Sequence, residues 1–598
     1  MKKTRYSVKT VCLLAMCGVA LFANAQEDKK KEQDLNRQMT LEREYDPSVQ
    51  DASKVNTLPQ VKEPEVRKIP IDYSDYTLAM DPAQQISVLP SGNIMTQMDY
   101  NKRRGYLRLG AGTYMNLNGD FGYHALSTAT DQLSIAFSHR SANGNVKYIQ
   151  LPDEKVKAKI NDNLGGLKYA HTFEKASLNV GLNYGYSAYN YYGLSMSPFS
   201  SLPMQDLLNV AERETNQVNQ TIAATLGIES KEDADLAYLV DLGFVNFSHK
   251  YGISKDTDGP KETTIEAKVN VSKRFNGDMR FGLEALVEYF NYSLPAEKAL
   301  PNGGLYICEF ENHAEVALHP YYEVEGENWK VRLGANVMLK TGDESLFMAT
   351  PNVAANFEVA DKTELYIKAN GKLYSNSMYE MSKINRYLPA EELTPSRNWL
   401  DGVLGIKSGV APGFWFDIFA GYKMTSDDVL FVPSRTFEEG GFGNFSEAMS
   451  GINTKQLFVG ASLKYSYQQL FELTLKGQYN NWKAEYSDEW IGFSDSSLEH
   501  AWGKPEMELN AGVMVRPMDK LAVALDYSLA TGRYTQLEGA DLYKMNNINE
   551  LNLTATYTLN DTFGFYAKVN NLLSQKYELY YGYPMQRLSA QVGVNINF

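Results

Sequence analysis

The chain has 598 residues, a formal net charge of −14, 22% charged residues, and 40 tyrosines against 26 phenylalanines and 6 tryptophans. An acidic balance without a long basic run argues against a nucleic-acid partner. No stretch after residue 25 holds the 18 or more apolar residues a spanning helix needs, which excludes a helical membrane bundle; a β-barrel stays open, because its strands are apolar on one side only.

In chain order, residues 1–25 read as an export signal. Lys2, Lys3, Arg5 and Lys9 form a basic start, Val11 to Ala23 an apolar core, and Ala23-Asn24-Ala25 a small-x-small cleavage site. Gln26 is the expected first mature residue. A lipid anchor on Cys17 would need a small residue where Met16 stands. Cys12 and Cys17 leave with the signal, so Cys308 has no disulfide partner and reads as a small residue near a strand end.

Residues 26–100 are charged, carry Pro47, Pro59, Pro64 and Pro70 at intervals, and lack an apolar period. Proline interrupts helix and sheet, and so polar a segment cannot bury a core. The expectation is an extended arm, periplasmic or luminal, with a short helix near 38–45.

From Gly105 the pattern becomes alternating. Candidate strands begin near residues 105, 117, 131, 164, 176, 217, 236, 263, 278, 312, 328, 349, 363, 401, 414, 455, 470, 506, 521, 549, 563 and 588, which makes 22. Polar tight-turn stretches such as FEKA (173–176), FNGD (275–278), PMDK (517–520) and LNDT (559–562) alternate with long connections near 144–163, 190–216, 376–400, 427–454 and 482–504. Hairpins with short turns at one end and long loops at the other match outer-membrane barrels, and an even strand count puts both termini on one side, the periplasmic one.

The faces separate barrel from soluble sandwich. In the C-terminal third the apolar face runs through Leu457, Val459 and Ala461, then Leu473, Leu475 and Tyr479, and on to the last strand; none of its 36 positions is charged. A Lys or Arg facing lipid costs about 2–4 kcal/mol at mid-bilayer. Lys464, Glu472, Lys476, Glu508, Asp526 and Lys568 lie on the other face. With the export signal and the connection rhythm, this predicts an all-β fold: a transmembrane antiparallel β-barrel of about 22 strands over residues 101–598, bathed in outer-membrane lipid. The chain closes on Leu588, Ala590, Val592, Val594, Ile596 and Phe598, apolar at every second place and ending on an aromatic.

The segment FGFYAKVNNLLSQKYELYYGYPMQRLSAQVGVNINF resembles the end of the barrel of TonB-dependent outer-membrane receptors. Asn570-Asn571-Leu572-Leu573, Lys576-Tyr577, Gly582-Tyr583-Pro584, Arg587 and the terminal Phe598 carry the likeness. The resemblance implies a 22-strand barrel in the outer membrane of a Gram-negative bacterium. It also implies energisation through TonB, and assembly machinery that reads Leu588, Ala590, Val592, Val594, Ile596 and Phe598. Receptors of this family fill the lumen with an N-terminal plug of well over a hundred residues, whereas residues 26–100 lack a plug-like run of strands. So wide a lumen needs filling: by the arm, by infolded loops or by a partner. The Gly- and Phe-rich loop 429–453 is the candidate to fold inward, weighed against an ordinary surface loop.

Chemistry-bearing motifs are sparse. Among seven histidines only His313 and His319 lie close, and their i, i+6 spacing suits no standard metal pair; one reads as a lumen residue and the other as a turn residue. No Ser/His/Asp set stands out and no phosphate loop occurs, so neither an enzyme nor a bound cofactor is expected. Glu266 and Lys268, Arg332 and Lys340, Lys368 and Lys372, and Glu472 and Lys476 give the lumen face mixed signs, to line a solute path or simply to pair in a wet interior. The clusters YNYYG (189–193) and YELYYGY (577–583) read as an interfacial belt, with stacking on a glycan as the alternative. The expected function is uptake of a solute across the outer membrane. The rival is a scaffold subunit whose proline-spaced arm docks a periplasmic partner; in either case residues 26–100 are the candidate contact for TonB or another periplasmic protein.

Overall fold

The computed structural model describes residues 103–194, 215–231, 236–252, 257–275, 277–299, 305–306, 308–342, 345–433, 445–486, 500–537 and 542–598. The expected export signal, the arm and residues 434–444 of the candidate inward loop lie outside them.

Period-two alternation becomes strand. Twenty-two strands, from Gly105–Gly112 to Ser589–Asn597, form one antiparallel sheet. It closes where the first strand meets the last, with Tyr106 opposite Asn597 and Gly112 opposite Gln591. Closure leaves no edge for another chain to extend. At this seam Tyr566 lies across two glycines: a Cβ on Gly110 would fall 2.0 Å from its hydroxyl, and one on Gly593 would fall 2.4 Å from its ring. Arg108 covers the same ring, its guanidinium carbon 4.2 Å from the centroid. Glycine here gives the aromatic a seat, and the aromatic restores packing the glycines lack.

The short turns, among them 173–175, 361–362 and 519–520, gather at one end with Gly105 and Phe598, whose backbones bond at 2.9 Å. Long connections occupy the other end, apart from the four-residue links 113–116 and 342–345. Leu109, Leu182, Leu333, Ile367, Leu404 and Val592 are exposed on the outer wall. A soluble monomer rarely shows more than a few hundred Å² of contiguous apolar surface; an apolar band round a closed barrel is a lipid-facing surface. None of the described helices is long and apolar enough to cross a membrane.

Val592 offers a direct check. It is 66% exposed on the last strand, so Val592→Arg should cost about 2–4 kcal/mol of insertion. The expected result is a clear fall in the fraction of heat-modifiable, folded barrel after refolding into lipid.

Three strands start well before their expected positions: Lys155–Thr172, Ser396–Ala411 and Ser446–Tyr467. The first shows why. Within the bilayer its odd positions, such as Leu167, face out, yet near its start Lys155, Lys157 and Lys159 take that face while Val156, Ala158 and Ile160 turn inward. The apolar face changes sides where lipid ends, so alternation with one fixed apolar face stops short. The other strands begin within three residues of expectation.

Two smaller expectations change. His313 and His319 both lie on the strand His313–Glu325, so His319 is no turn residue; its Nδ1 sits 2.6 Å from Asn336 Oδ1 on the next strand. Charges also pair across strands rather than along them: Arg332 Nε reaches Glu323 at 3.3 Å, and Lys464 reaches Glu472 at 3.4 Å. Directly opposed residues have Cβ atoms about 5 Å apart, closer than neighbours two places along a strand.

Candidate functional site at the barrel mouth

At the end with the long connections, chain segments turn into the lumen and pack on one another. The first is 375–395, between the strands Thr363–Tyr374 and Ser396–Ala411. It carries one short helix, α1 (Met378–Ile384), whose N-cap Ser377 accepts from Glu380 N. Glu262, on the strand Lys261–Phe275, anchors this start: its carboxylate accepts from Ser377 Oγ at 3.0 Å and from Tyr379 N at 3.1 Å. A buried carboxylate is tolerable only with such donors. Met378 packs against Phe247 and Phe310, with Cys308 against the same cluster.

Beyond α1 the segment crosses the barrel. Met381 and Leu388 pack on Val429, and Asn385 donates to Ser446 Oγ at 2.9 Å. Arg386 then makes a bidentate pair with Asp162 at 3.0 and 3.1 Å, on the strand Lys155–Thr172. Asp162 stands nine strands from Thr363–Tyr374 in a ring of 22, close to the diametrically opposite wall. The loop therefore spans the lumen.

The second inward segment is 571–588, the stretch that carries the receptor-like motif. Asn571 organises its entry: its side chain accepts from Gln575 N at 2.8 Å and donates to Gln575 O at 2.9 Å. Further on, fully buried Glu578 accepts from Gly582 N at 2.6 Å and from Gln150 Nε2 at 2.8 Å. Arg533, also without exposure, donates to the carbonyls of Glu578 and Leu579. Gly582 has φ +79°, and a Cβ there would meet Leu194 backbone at 2.4 Å. Both its conformation and its neighbour require glycine.

The segments meet in an aromatic cluster. Tyr387 stacks on Tyr583 at 4.1 Å, Tyr192 meets Tyr583 edge-on at 5.0 Å, and Tyr191 meets Phe445 at 4.8 Å. Tyr580 hydroxyl donates to Ile384 O at 2.7 Å. Tyr189, Tyr191, Tyr192, Tyr577, Tyr581 and Tyr583 are all buried. They form no interfacial belt and expose no platform for a glycan. The tyrosines instead face the inner layer, where ring burial and a hydroxyl partner are both available.

Of the candidate inward loop 429–453, the described residues are 429–433 and 445–453, and Phe445 packs on Tyr191 in the inner layer. Residues 429–433 and 446–453 belong to strands that extend beyond the lipid band, with Leu430, Met449 and Ile452 packed on Trp502. Among the described residues the inward elements are 375–395 and 571–588. The first sits within a long connection expected from sequence; the second was visible only as a family-like motif.

Burial pushes the Glu578 carboxyl up to about 7, and its two donors and Arg533 only partly offset this. Tyr543 and Tyr581 are the other titratable groups beside it. A raised carboxyl favours the folded layer while protonated, so its contribution is fullest below the ordinary carboxylate range and is lost as pH rises through about 7. Hydrogen exchange over 577–585, corrected for intrinsic rate, should therefore be slower at pH 5.5 than at pH 8.5, and Glu578→Gln should narrow the difference.

Beneath the crossing segments lies a cavity of about 1100 Å³, lined by Arg140, Asp162, Asn183, Asn219, Lys383 and Arg386 among others. Among the described residues no group of three His, Cys, Asp or Glu side chains stands together as a ready metal site.

No protein-family model matches the sequence, and no curated protein matches it. Solved structures do. The ferripyoverdine receptor of the Pseudomonas aeruginosa outer membrane aligns at TM-score 0.59 and 12% identity, over 83% of this chain and 72% of its own. The ferric-catecholate import receptor Fiu of E. coli K12 gives TM-score 0.59 at 10% identity, over 83% and 82%. The FrpB iron transporter of Neisseria meningitidis gives 0.61 at 10%, again over 83% and 82%. The described chain thus has the 22-strand barrel fold of the TonB-dependent outer-membrane receptors.

Proposed function

We propose that this chain is an outer-membrane receptor that takes up a solute, with the inward segments 375–395 and 571–588 as its gate. The observation that supports it most is the roomy, mixed-charge cavity directly below those segments; ligand sites of small molecules run to about 300–1,000 Å³. In this reading the long connections face outside and both termini lie in the periplasm. Residues 26–100 engage TonB or another periplasmic protein, and the closing run Leu588 to Phe598 is the stretch read by assembly machinery. The solved structures of similar fold carry names that speak of ferripyoverdine and iron; uptake of a solute by this chain is the corresponding reading.

A second reading rests on the packing of the layer itself. Buried tyrosines stacked at 4.1 Å and a diametric ion pair also suit a permanently closed barrel that serves as a scaffold. Growth and copurification separate the two, while planar-bilayer recording tests whether the layer closes the pore. If the layer is a gate, replacing 376–394 by a short Gly-Ser linker should raise conductance at least tenfold, and the gene should be needed for growth on some solute. If the barrel is a scaffold, growth is indifferent to the gene, and a stoichiometric partner copurifies until residues 26–100 are removed.

A further inference from the structure

The geometry points to a transition-metal site on the luminal wall, formed by His313 Nε2 and Glu315 Oε1 and opening toward Glu288. The strand His313–Glu325 places His313 and Glu315 two residues apart on its luminal face. The His313 ring is held in place: it stacks on Phe290 at 4.7 Å, and its Nδ1 lies 2.9 Å from Glu311 O. A carbonyl can only accept, so Nδ1 carries the proton and the Nε2 lone pair points elsewhere. It points at Glu315. Nε2 and Oε1 are 3.6 Å apart, both side chains are over nine-tenths buried, and neither atom has a hydrogen-bond partner.

Two buried acceptors facing each other need a proton or a metal ion between them, and 3.6 Å is long for a hydrogen bond. The separation suits a metal ion. Ligands about 2.1 Å from zinc at a tetrahedral angle stand about 3.4 Å apart, close to the 3.6 Å seen here. The surroundings favour a cation as well: Glu315 is paired in register with Glu288, and Glu288 with Glu266, which sets three carboxylates in a row on the wall. Lys340, opposite Glu315 on the other side, and Lys372, near enough to act on Glu288, balance part of this charge. His313 and Glu315 supply two positions and water completes the set, with Glu288 as a neighbouring charge rather than a third ligand in place. Nitrogen with carboxylate selects zinc-like first-row ions over calcium or magnesium. The other Glu315 oxygen accepts from Ser375 Oγ at 3.0 Å, so the ion would brace the first residue of the crossing segment 375–395.

The test uses the full mature protein in detergent, stripped by chelator and titrated with Co²⁺ and then Zn²⁺. One Co²⁺ per chain with the strong visible absorption of four-coordinate geometry, displaced by Zn²⁺, is the expected result. His313→Gln should weaken binding at least tenfold. Glu288→Gln, at a less buried position, should weaken it by a smaller factor while the barrel keeps its heat-modifiable migration. A stripped wild-type protein that gives no such absorption, or binding unchanged in His313→Gln, overturns the site. The outcome does not depend on whether the barrel transports anything.

Discussion

Replacing Arg386 with alanine should free the crossing segment while the barrel stays folded. Arg386 and Asp162 are each about one-third exposed, so solvent screens the pair, but its bidentate geometry still fixes the far end of the segment. A loss of about 1–3 kcal/mol of local stability is expected. Because about 1.4 kcal/mol is tenfold in an equilibrium, hydrogen exchange over 378–390 should accelerate between about fivefold and 150-fold. Asp162→Ala should do the same, and the double variant should add little to either. Equal exchange in wild type and Arg386→Ala would mean that the helix anchor at Glu262 and the packing of Met381 and Leu388 hold the segment without the ion pair.

Gly582→Val should be more damaging. A β-branched residue at φ +79° costs about 1–3 kcal/mol in backbone conformation alone. The added carbon would also meet Leu194 backbone at 2.4 Å, and backbone cannot swing aside as a side chain does. The expected outcome is departure of 577–585 from the layer. It would expose Tyr583 and Glu578, abolish the pH dependence of exchange across this stretch, and make it sensitive to added protease. Gly503, which also has positive φ but no atom near a built Cβ, should tolerate alanine with a smaller loss.

The barrel was legible in the sequence because lipid imposes a rule at every second residue. Leu457, Val459 and Ala461 had to be apolar wherever they sat in the bilayer, and they face out. The inner layer obeys no period. Glu262 and Ser377 are 115 residues apart, and Asp162 and Arg386 are 224 apart; nothing local marks either pair. YELYYGY was conspicuous, but composition gave no direction for its rings, and an interfacial belt or a buried cluster would use the same residues. The lysines at 155, 157 and 159 misled for a related reason. They belong to a strand that continues past the lipid, where the inner aromatic layer rather than the membrane rewards burial of Val156 and Ala158.

The central claim is that 375–395 and 571–588 close the mouth of the barrel. Single-channel conductance in planar bilayers tests it most directly, comparing the mature chain, the chain without residues 26–100 and the chain with 376–394 replaced by a short linker. The account predicts that removal of 26–100 leaves conductance far below that of the linker variant, since the crossing segment remains. Full opening on removal of 26–100 alone, with no further increase from the linker, would contradict it.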